Sequence, residues 1–517
     1  MKRRTFLDLT AAAGGGIALG AGGLALGSAG VSLGSCSARG GGRQPDIVLI
    51  FVDDLGLSDL SCFGCTDYDT PHIDSIGERG ARLTDFYTAA PVCTPSRYAL
   101  LTGRYPFGSG VNLTTALMPA DTHGLDPDTV TLPEVLQRAG YRTACVGKWH
   151  LGRLDPVYHP HRHGFEHFYG FRGGLVDYYR HAYAREHDWW RNDEELREEG
   201  YVTDLLTREA ERLIAAGDDR PLFLYLSYSA PHYARDEENR IILQPRREDA
   251  DRFPGIADEK RRAYAGMVAA LDEGVGRVIR ALETSGRAGN TLLLFVSDNG
   301  PELDWGGTCT PLRGAKRFLY EGGIRMPALV QWPGRVAAGV DLSWPGCTLD
   351  LFPTFAALAG VGVERGTRGT SGTGGTGGTG GTRGTDSGAG ETRDAGRAGG
   401  AEAGTAIGDS DLDGTAIEDS DLDVTAIGDS NLDGTDISGV LRGGEGAERD
   451  LIWSYGGAAA IRAGHWKLVR RREVVELFDL ETDISESRDL SSAEPDRVRD
   501  LAARLDAELA RVEGRRG

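Results

Sequence analysis

Ile47-Val-Leu-Ile-Phe-Val52, followed at once by Asp53-Asp54-Leu55-Gly56, is the stretch on which the fold turns. Six apolar residues without polar alternation describe a strand covered on both faces, as in the middle of a parallel sheet. Leu222-Phe-Leu-Tyr-Leu226 and Leu292-Leu-Leu-Phe-Val296 read the same way. Between such runs, 131–139 and 260–283 read as helices, the second with Met267, Ala270, Leu271, Val275, Val278, Ile279 and Leu282 at helical spacing. This alternation predicts an α/β fold with a large mixed, mainly parallel sheet sandwiched by helices. Ligands of such sheets bind beyond the carboxyl ends of the strands, so the polar residues that follow the apolar runs should converge. Asp53-Asp54 after the first run and Ser297-Asp298-Asn299-Gly300 after the third would then form a set of hard oxygen ligands. That set suits Ca²⁺ or Mg²⁺ and not zinc, and adjacent carboxylates repel without a cation. Taken alone, an Asp-Asp at a strand end serves equally well as a helix cap.

The chain has 517 residues and a formal charge of −20. At about 150 residues per domain that length suggests three domains, but two odd stretches distort both impressions. Residues 364–404 are Gly, Thr, Arg and Ser with almost no apolar residue, and cannot offset the entropy of ordering. From Thr405 the sequence repeats every ten residues, and residues 401–438 hold eleven Asp or Glu and no Lys or Arg. Over half the net charge therefore sits in one repetitive segment. Asp409-x-Asp411-x-Asp413-Gly414 copies the first half of an EF-hand loop, but position twelve is Ser420, no amphipathic helices flank it, and the second copy lacks the glycine. Tandem expansion of a surface loop fits better. Composition excludes a collagen, a coiled coil, a small disulfide scaffold and a basic nucleic-acid binder. The expected organisation is a catalytic domain over 46–363, an insertion over 364–433 and a smaller α+β subdomain over 434–517.

Residues 1–35 read as an export signal of the twin-arginine type: Lys2-Arg3-Arg4-Thr5-Phe6-Leu7 precedes an Ala, Gly and Leu run uncharged after Asp8. Leu33-Gly-Ser-Cys36 resembles a lipobox, which would place the protein in the periplasm or cell envelope, with the membrane touched only through a lipid on Cys36. Six cysteines remain: Cys62, Cys65, Cys93, Cys145, Cys309 and Cys347. Cys62-Phe-Gly-Cys65 is open between a redox pair, a metal half-site and a local disulfide. Without a second such pair or nearby histidines, zinc is disfavoured, and a buried pair or short bridge is expected.

Pro91-Val-Cys93-Thr-Pro95-Ser-Arg97 carries the chemistry. It resembles the maturation signal Cys-x-Pro-x-Arg of the formylglycine-dependent sulfatases of the alkaline phosphatase superfamily. Further segments match that family in order: Gly147-Lys148-Trp-His150-Leu-Gly152, Pro221 to Pro231-His232, and Pro311-Leu-Arg-Gly-Ala-Lys316 continued by Tyr320-Glu-Gly-Gly-Ile-Arg325. Ala460 to Val469 and Glu476 to Asp483 are similar to strands of the family's C-terminal subdomain, and Leu432 to Leu441 to the element preceding it. The resemblance spans about residues 46–495.

It implies an alkaline phosphatase-like fold and hydrolysis of sulfate monoesters, aryl or carbohydrate, with release of inorganic sulfate. A maturation enzyme would convert Cys93 to formylglycine, whose hydrate is the nucleophile. Asp53, Asp54, Asp298 and Asn299, with an oxygen made from Cys93, would hold Ca²⁺, or Mg²⁺. Lys148 and Lys316 would bind sulfate oxygens, and Arg97 would position the hydrate. His232 would protonate the leaving oxygen, shared with Lys316, and His150 would be the base that releases sulfate. Sulfate esters carry charge that repels nucleophiles, so cations around the sulfate and a proton donor at the leaving group are what the chemistry needs. Asp177 and His181, after the Gly173-Gly174 turn, are expected to line the pocket beyond the sulfate. Competing readings are a phosphoester or phosphonate hydrolase on the same fold, and a non-catalytic envelope lipoprotein that binds sulfated glycans.

Overall fold

The structure, a computed structural model, describes residues 43–110, 113–183, 185–249, 251–365, 426–430 and 432–516. The export signal with Cys36 lies outside the described residues, as does nearly all of the 364–433 insertion with its acidic repeats. The described chain from Gln44 onward forms one compact unit. No helix among the described residues is long and apolar enough to cross a membrane.

The decisive run forms β1 (Asp46–Asp53), near the middle of a ten-stranded sheet. The other members are β2 (Ala81–Leu83), β3 (Arg142–Lys148), β4 (His167–Phe171), β5 (Trp190–Arg191), β6 (Glu194–Glu195), β7 (Leu222–Pro231), β8 (Thr291–Ser297), β9 (Ala328–Gln331) and β10 (Val340–Leu342), in the spatial order β10-β2-β9-β8-β1-β7-β3-β4-β5-β6. The central strands β8, β1, β7, β3 and β4 are all parallel, while β9 and β5 pair antiparallel at either side. The sheet is thus mixed and mainly parallel, as the apolar runs predict.

Continuous hydrophobicity follows from burial on both faces. Val48, Ile50 and Val52 pack with α1 (Pro71–Glu78), α4 (Val202–Ala215) and α5 (Glu259–Thr284). Ile47, Leu49 and Phe51 pack with α2 (Cys93–Thr102), α3 (Leu132–Arg138) and α7 (Leu351–Leu358). All six are fully buried, each stabilising the fold by about 1.5–3 kcal/mol before entropy is counted. Both sequence-read helices form, with ends set by local chemistry. Thr131 lies outside the first as its cap, in a reciprocal box with Glu134, and the Asp258 carboxylate accepts from the Arg261 amide at the start of the second.

The C-terminal subdomain is an antiparallel sheet of β11 (Asp450–Tyr455), β12 (Ala458–Ala463), β13 (Trp466–Arg471) and β14 (Val474–Asp479), in sequence order. Leu501, Leu505 and Val512 of α8 (Pro495–Glu513) share a core with it and with Tyr87, Ala99 and Tyr105 of the larger domain. The six described cysteines are free thiols, so the short bridge expected at Cys62 and Cys65 is not formed. Both are only half buried, and an Arg261 guanidinium nitrogen lies 3.5 Å from the Cys65 sulfur.

A buried carboxylate on α5 supplies a stability test. Asp272 accepts from the amides of His72 and Ile73 in the first turn of α1. Burial pushes its pKa up to about 7 despite those bonds. A carboxyl raised in the folded state costs stability as pH climbs from its unfolded value near 4 through its folded value near 7. Asp272→Asn keeps an oxygen for both amides and removes that ionisation. Denaturant unfolding at pH 8 is expected to show the variant more stable by about 1–3 kcal/mol, with the advantage gone at pH 4. Equal stability of the two proteins at pH 8 would contradict this account.

Candidate active site

Because β8, β1, β7 and β3 are parallel, their carboxyl ends share one edge of the sheet. Val52 lies opposite Ser297, and Asp53 opposite Pro231 after an irregularity in the β1–β7 ladder. Gly147 lies opposite Ser227, one residue before Lys148. Gly147 has φ +117°, and a Cβ there would stand 1.9 Å from the Ser227 carbonyl oxygen, so only glycine lets the strands approach here. Beyond this edge Asp54 (φ 63°) and His150 (φ 56°) adopt left-handed backbone, uncommon for non-glycine residues and less so for Asp and His. Helix α2 completes the ring. Cys93 is its first residue, all ten of its residues are buried, and its amino end favours negative charge.

The expected residues meet here. The Asp53 carboxylate accepts from Lys148 Nζ at 2.5 Å. Arg97, one turn along α2, donates to Asp298 at 2.9 Å, to Ser227 Oγ at 2.5 Å and to Tyr225 OH at 3.1 Å. Asp298 Oδ1 accepts from the Asp54 amide at 3.2 Å. Asp54 accepts from Asn299 Nδ2 at 2.6 Å and from Lys316 Nζ at 2.8 Å, with His232 Nε2 3.4 Å away. Lys316 Nζ and His232 Nε2 are 3.4 Å apart. One ligand atom each from Asp53, Cys93 and Asp298 falls within 4.8 Å of the others, and the same is true of Asp53, Asp54 and His232. His150 Nε2 lies 3.0 Å from the Leu117 carbonyl, and the His150 carbonyl accepts from Thr94, next to Cys93.

A sulfatase family model matches residues 45–361, which carry this whole constellation. The chain belongs to the sulfatase family. Human arylsulfatase A is 36% identical over 356 residues, covering 63% of this chain and 66% of that protein, and human N-acetylgalactosamine-6-sulfatase is 34% identical over 351 residues, covering 63% and 64%. The chain thus spans slightly under two thirds of these relatives' length. The solved structure of Ps i-CgsB in complex with k-i-k-neocarrahexaose superposes with a TM-score of 0.73 at 31% identity, covering 90% of this chain and 93% of that one. The mainly parallel sheet with its C-terminal antiparallel sheet is therefore the alkaline phosphatase-like sulfatase architecture.

In this site the charges are strongly biased by their surroundings. Burial alone would raise the Asp53 pKa, but Lys148, His232, Arg97 and Lys316 outweigh it and hold the carboxyl well below its usual range. Asp298 is pushed the other way by burial and by the Asp53 charge. Burial also lowers the pKa of His150, reinforced by Lys148, and that of His232, against the pull of Asp54 and Asp53. Lys316 is raised because Asp54, Cys93 and Asp53 together exceed its desolvation. The donor set fits a divalent cation on independent grounds: Asp53 Oδ1 and Asn299 Oδ1 are buried with no hydrogen-bond partner. Two orphaned oxygens at the ends of adjacent strands are costly unless something positive sits between them.

Two expected residues are not drawn into this set. The Asp177 carboxylate is taken up by the amides of Tyr179 and Arg180, the Arg180 guanidinium and Gln244. His181 Nε2 lies 3.0 Å from the Gly200 carbonyl, and its ring stacks on Trp189 with centroids 4.7 Å apart. Both are about 1% exposed and hold the 177–200 segment together. Between them, Tyr178 does serve the site, its hydroxyl donating to the His232 carbonyl at 2.9 Å. The sequence offered Tyr178 only as part of the 177–181 segment, equally readable as packing, and gave no role to Tyr225 or Ser227. Ser227 was the legible one, a hydroxyl ending an apolar strand; the two tyrosines look like core residues.

Proposed function

We propose that this protein hydrolyses sulfate monoesters, aryl or carbohydrate, and releases inorganic sulfate. The observation that carries the reading is Cys93 at the amino end of a wholly buried helix, its sulfur beside the carboxylates of Asp53 and Asp298. A structural cysteine gains nothing from two carboxylates, whereas a residue that will become a metal-bound oxygen ligand does. Converted to formylglycine, residue 93 would supply a hydrate with one hydroxyl to attack sulfur and a second whose deprotonation expels the sulfate. Asp53, Asp54, Asp298 and Asn299 are the residues that would hold Ca²⁺ or Mg²⁺, and the ion would polarise the sulfate and favour an ionised nucleophile.

The remaining roles fall to the chain's own groups. Lys148 and Lys316 supply positive charge for the sulfate oxygens. Arg97, fixed by Asp298, Ser227 and Tyr225, keeps the first turn of α2 in place under residue 93. His150 is neutral by burial, and its Nδ1 has no partner, so it is suited to take the proton of the second hydroxyl. His232 Nδ1 lies 2.7 Å from the Tyr233 carbonyl and must donate to it, which leaves Nε2 as a lone pair toward Lys316. That tautomer, with the raised pKa of Lys316, supports Lys316 as the carrier of the proton for the departing oxygen, and His232 as its orienting partner. The similarity to Ps i-CgsB, solved in complex with k-i-k-neocarrahexaose, supports a carbohydrate sulfate as substrate. Export to the cell envelope, with lipid on Cys36, remains our proposal from the first 36 residues.

The test uses enzyme co-expressed with a formylglycine-generating enzyme. The peptide containing residue 93 is expected to lose its sulfur, and p-nitrophenyl sulfate to be cleaved with inorganic sulfate as co-product. Dialysis against a chelator should cut the rate by roughly 10²-fold or more, restored by Ca²⁺ or Mg²⁺. Phosphate ester cleavage exceeding sulfate cleavage, or an unaltered Cys93 in an active enzyme, would defeat the proposal.

A further inference from the structure

The loop carrying Lys316 is held from the far side by the C-terminal sheet. On one flank Glu476 of β14 accepts from Arg313 at 3.0 Å and from the Tyr320 hydroxyl. On the other, Glu486 Oε2 accepts from the Glu321 amide at 2.7 Å, at the start of α6 (Glu321–Ile324). Lys467 of β13 lies between the two carboxylates, 2.7 Å from Glu321 and 2.9 Å from Glu486, with all three side chains fully buried. Lys316 sits in sequence between Arg313 and Tyr320, the two residues that Glu476 grips.

The same loop is stitched to both halves of the reaction centre. The Arg317 amide donates to the Pro91 carbonyl at 2.9 Å, two residues before Cys93. The Gly300 amide, next to Asn299, donates to the Gly323 carbonyl at 3.1 Å. A Cβ on Gly300 would meet the Gly322 carbonyl oxygen at 2.1 Å, so the loop lies directly against the segment bearing Asp298 and Asn299. The loop has further ties of its own: the Lys316 amide donates to the Pro301 carbonyl at 3.2 Å, Arg317 pairs with Glu302 at 2.6 Å, and the Gly322 amide donates to the Arg313 carbonyl at 2.7 Å, so the grip of Glu476 tunes the position of the Lys316 side chain and does not hold the loop alone.

We propose that Glu476, with Lys467 and Glu486, acts as a positioning residue for catalysis, fixing the 309–324 loop so that Lys316 is held against Asp54 and His232. The inference rests on Lys316 acting in sulfate ester cleavage. Without Glu476, Arg313 and Tyr320 lose their shared acceptor and the Lys316 ammonium swings by a fraction of a side chain. The pair of Arg313 and Glu476 is partly exposed, so its removal leaves the fold intact.

A double-mutant cycle on formylglycine-containing full-length enzyme tests this with p-nitrophenyl sulfate. Glu476→Ala is expected to lower kcat/KM by roughly 10-fold, since misplacing a catalytic group by an ångström can cost up to 10²-fold. In a Lys316→Ala background the same change should cost nothing further, because there is no ammonium left to misplace. Glu476→Gln, which retains an acceptor, should restore most of the activity, and the thermal midpoints of the two Glu476 single variants should stay near that of the parent. No loss in Glu476→Ala, or an equal fold loss with and without Lys316, would overturn the positioning role. Full activity of Lys316→Ala would instead overturn the reading of Lys316 itself, and is seen in that single variant alone.

Discussion

Cys93→Ser is expected to reduce turnover of p-nitrophenyl sulfate by roughly 10³-fold or more, the scale of losing one member of a nucleophilic constellation. Cysteine and serine have nearly the same shape, and residue 93 is 3% exposed at the start of α2, so the variant should fold and bind cation. What serine lacks is a second hydroxyl on the same carbon. The aldehyde hydrate can shed sulfate by deprotonating that hydroxyl, with His150 at hand. A sulfated serine has no such route and must wait for attack by water. Intact mass measured after incubation with substrate should show one added sulfo group on the peptide bearing residue 93. Turnover by Cys93→Ser at the rate of the parent enzyme would sink the formylglycine mechanism while leaving the fold and family untouched.

Lys467→Met is expected to have the largest effect on stability, roughly 3–5 kcal/mol by denaturant unfolding, the usual consequence of removing one partner from a buried ionic cluster. Methionine fills the volume but leaves Glu321 and Glu486 facing each other in the dark. Arg325 and Arg462 lower the Glu321 pKa along with Lys467, so Glu486 bears the greater burden. Burial already pushes Glu486 up to about 7, with the Glu321 charge adding to the rise and Lys467 opposing it. Without the ammonium it rises further. A carboxyl raised in the folded state costs more stability as pH climbs, so the deficit of the variant should grow from pH 6 to pH 8. Adding Glu486→Gln should recover part of the loss, and a deficit under about 1 kcal/mol at pH 8 would show the cluster to be an incidental one.

The positioning role of Glu476 and the instability of Lys467→Met share a cause. The C-terminal subdomain is not an appendage: its β13 and β14 close over the loop that carries one of the site's two lysines. Arg462 of β12 adds to this seam through Asp85 at 2.6 Å and the Tyr87 hydroxyl, while Tyr87 donates to Glu321 at 2.7 Å.

Much of the site was legible because it follows strand ends. Asp53 and Asp54, and Ser297, Asp298 and Asn299, come directly after apolar runs, and parallel pairing of those runs leaves them no choice but to meet, whereas Lys148 and His232 were expected only from the family resemblance. Cys93 and Arg97 were legible from their spacing in the maturation signal. Asp177 and His181, an acid and a histidine near a Gly-Gly turn, look free in one dimension. In the folded chain backbone amides, Arg180 and Gly200 claim them first.

The sequence by itself determined the parallel core, the strand-end cluster of oxygen-bearing side chains and the family, since strand burial and local motif spacing are properties of short segments. Tertiary structure alone decided which oxygens remain unpaired, that His232 Nε2 lies 3.4 Å from the Lys316 ammonium, that Arg97 is anchored by Tyr225 and Ser227, and that Glu476 and Lys467 grip the Lys316 loop. Those facts depend on distances between residues far apart in the chain, 163 positions for Arg313 and Glu476 and 262 for Asp54 and Lys316. No local pattern encodes such a distance; only the packing of one sheet against another sets it.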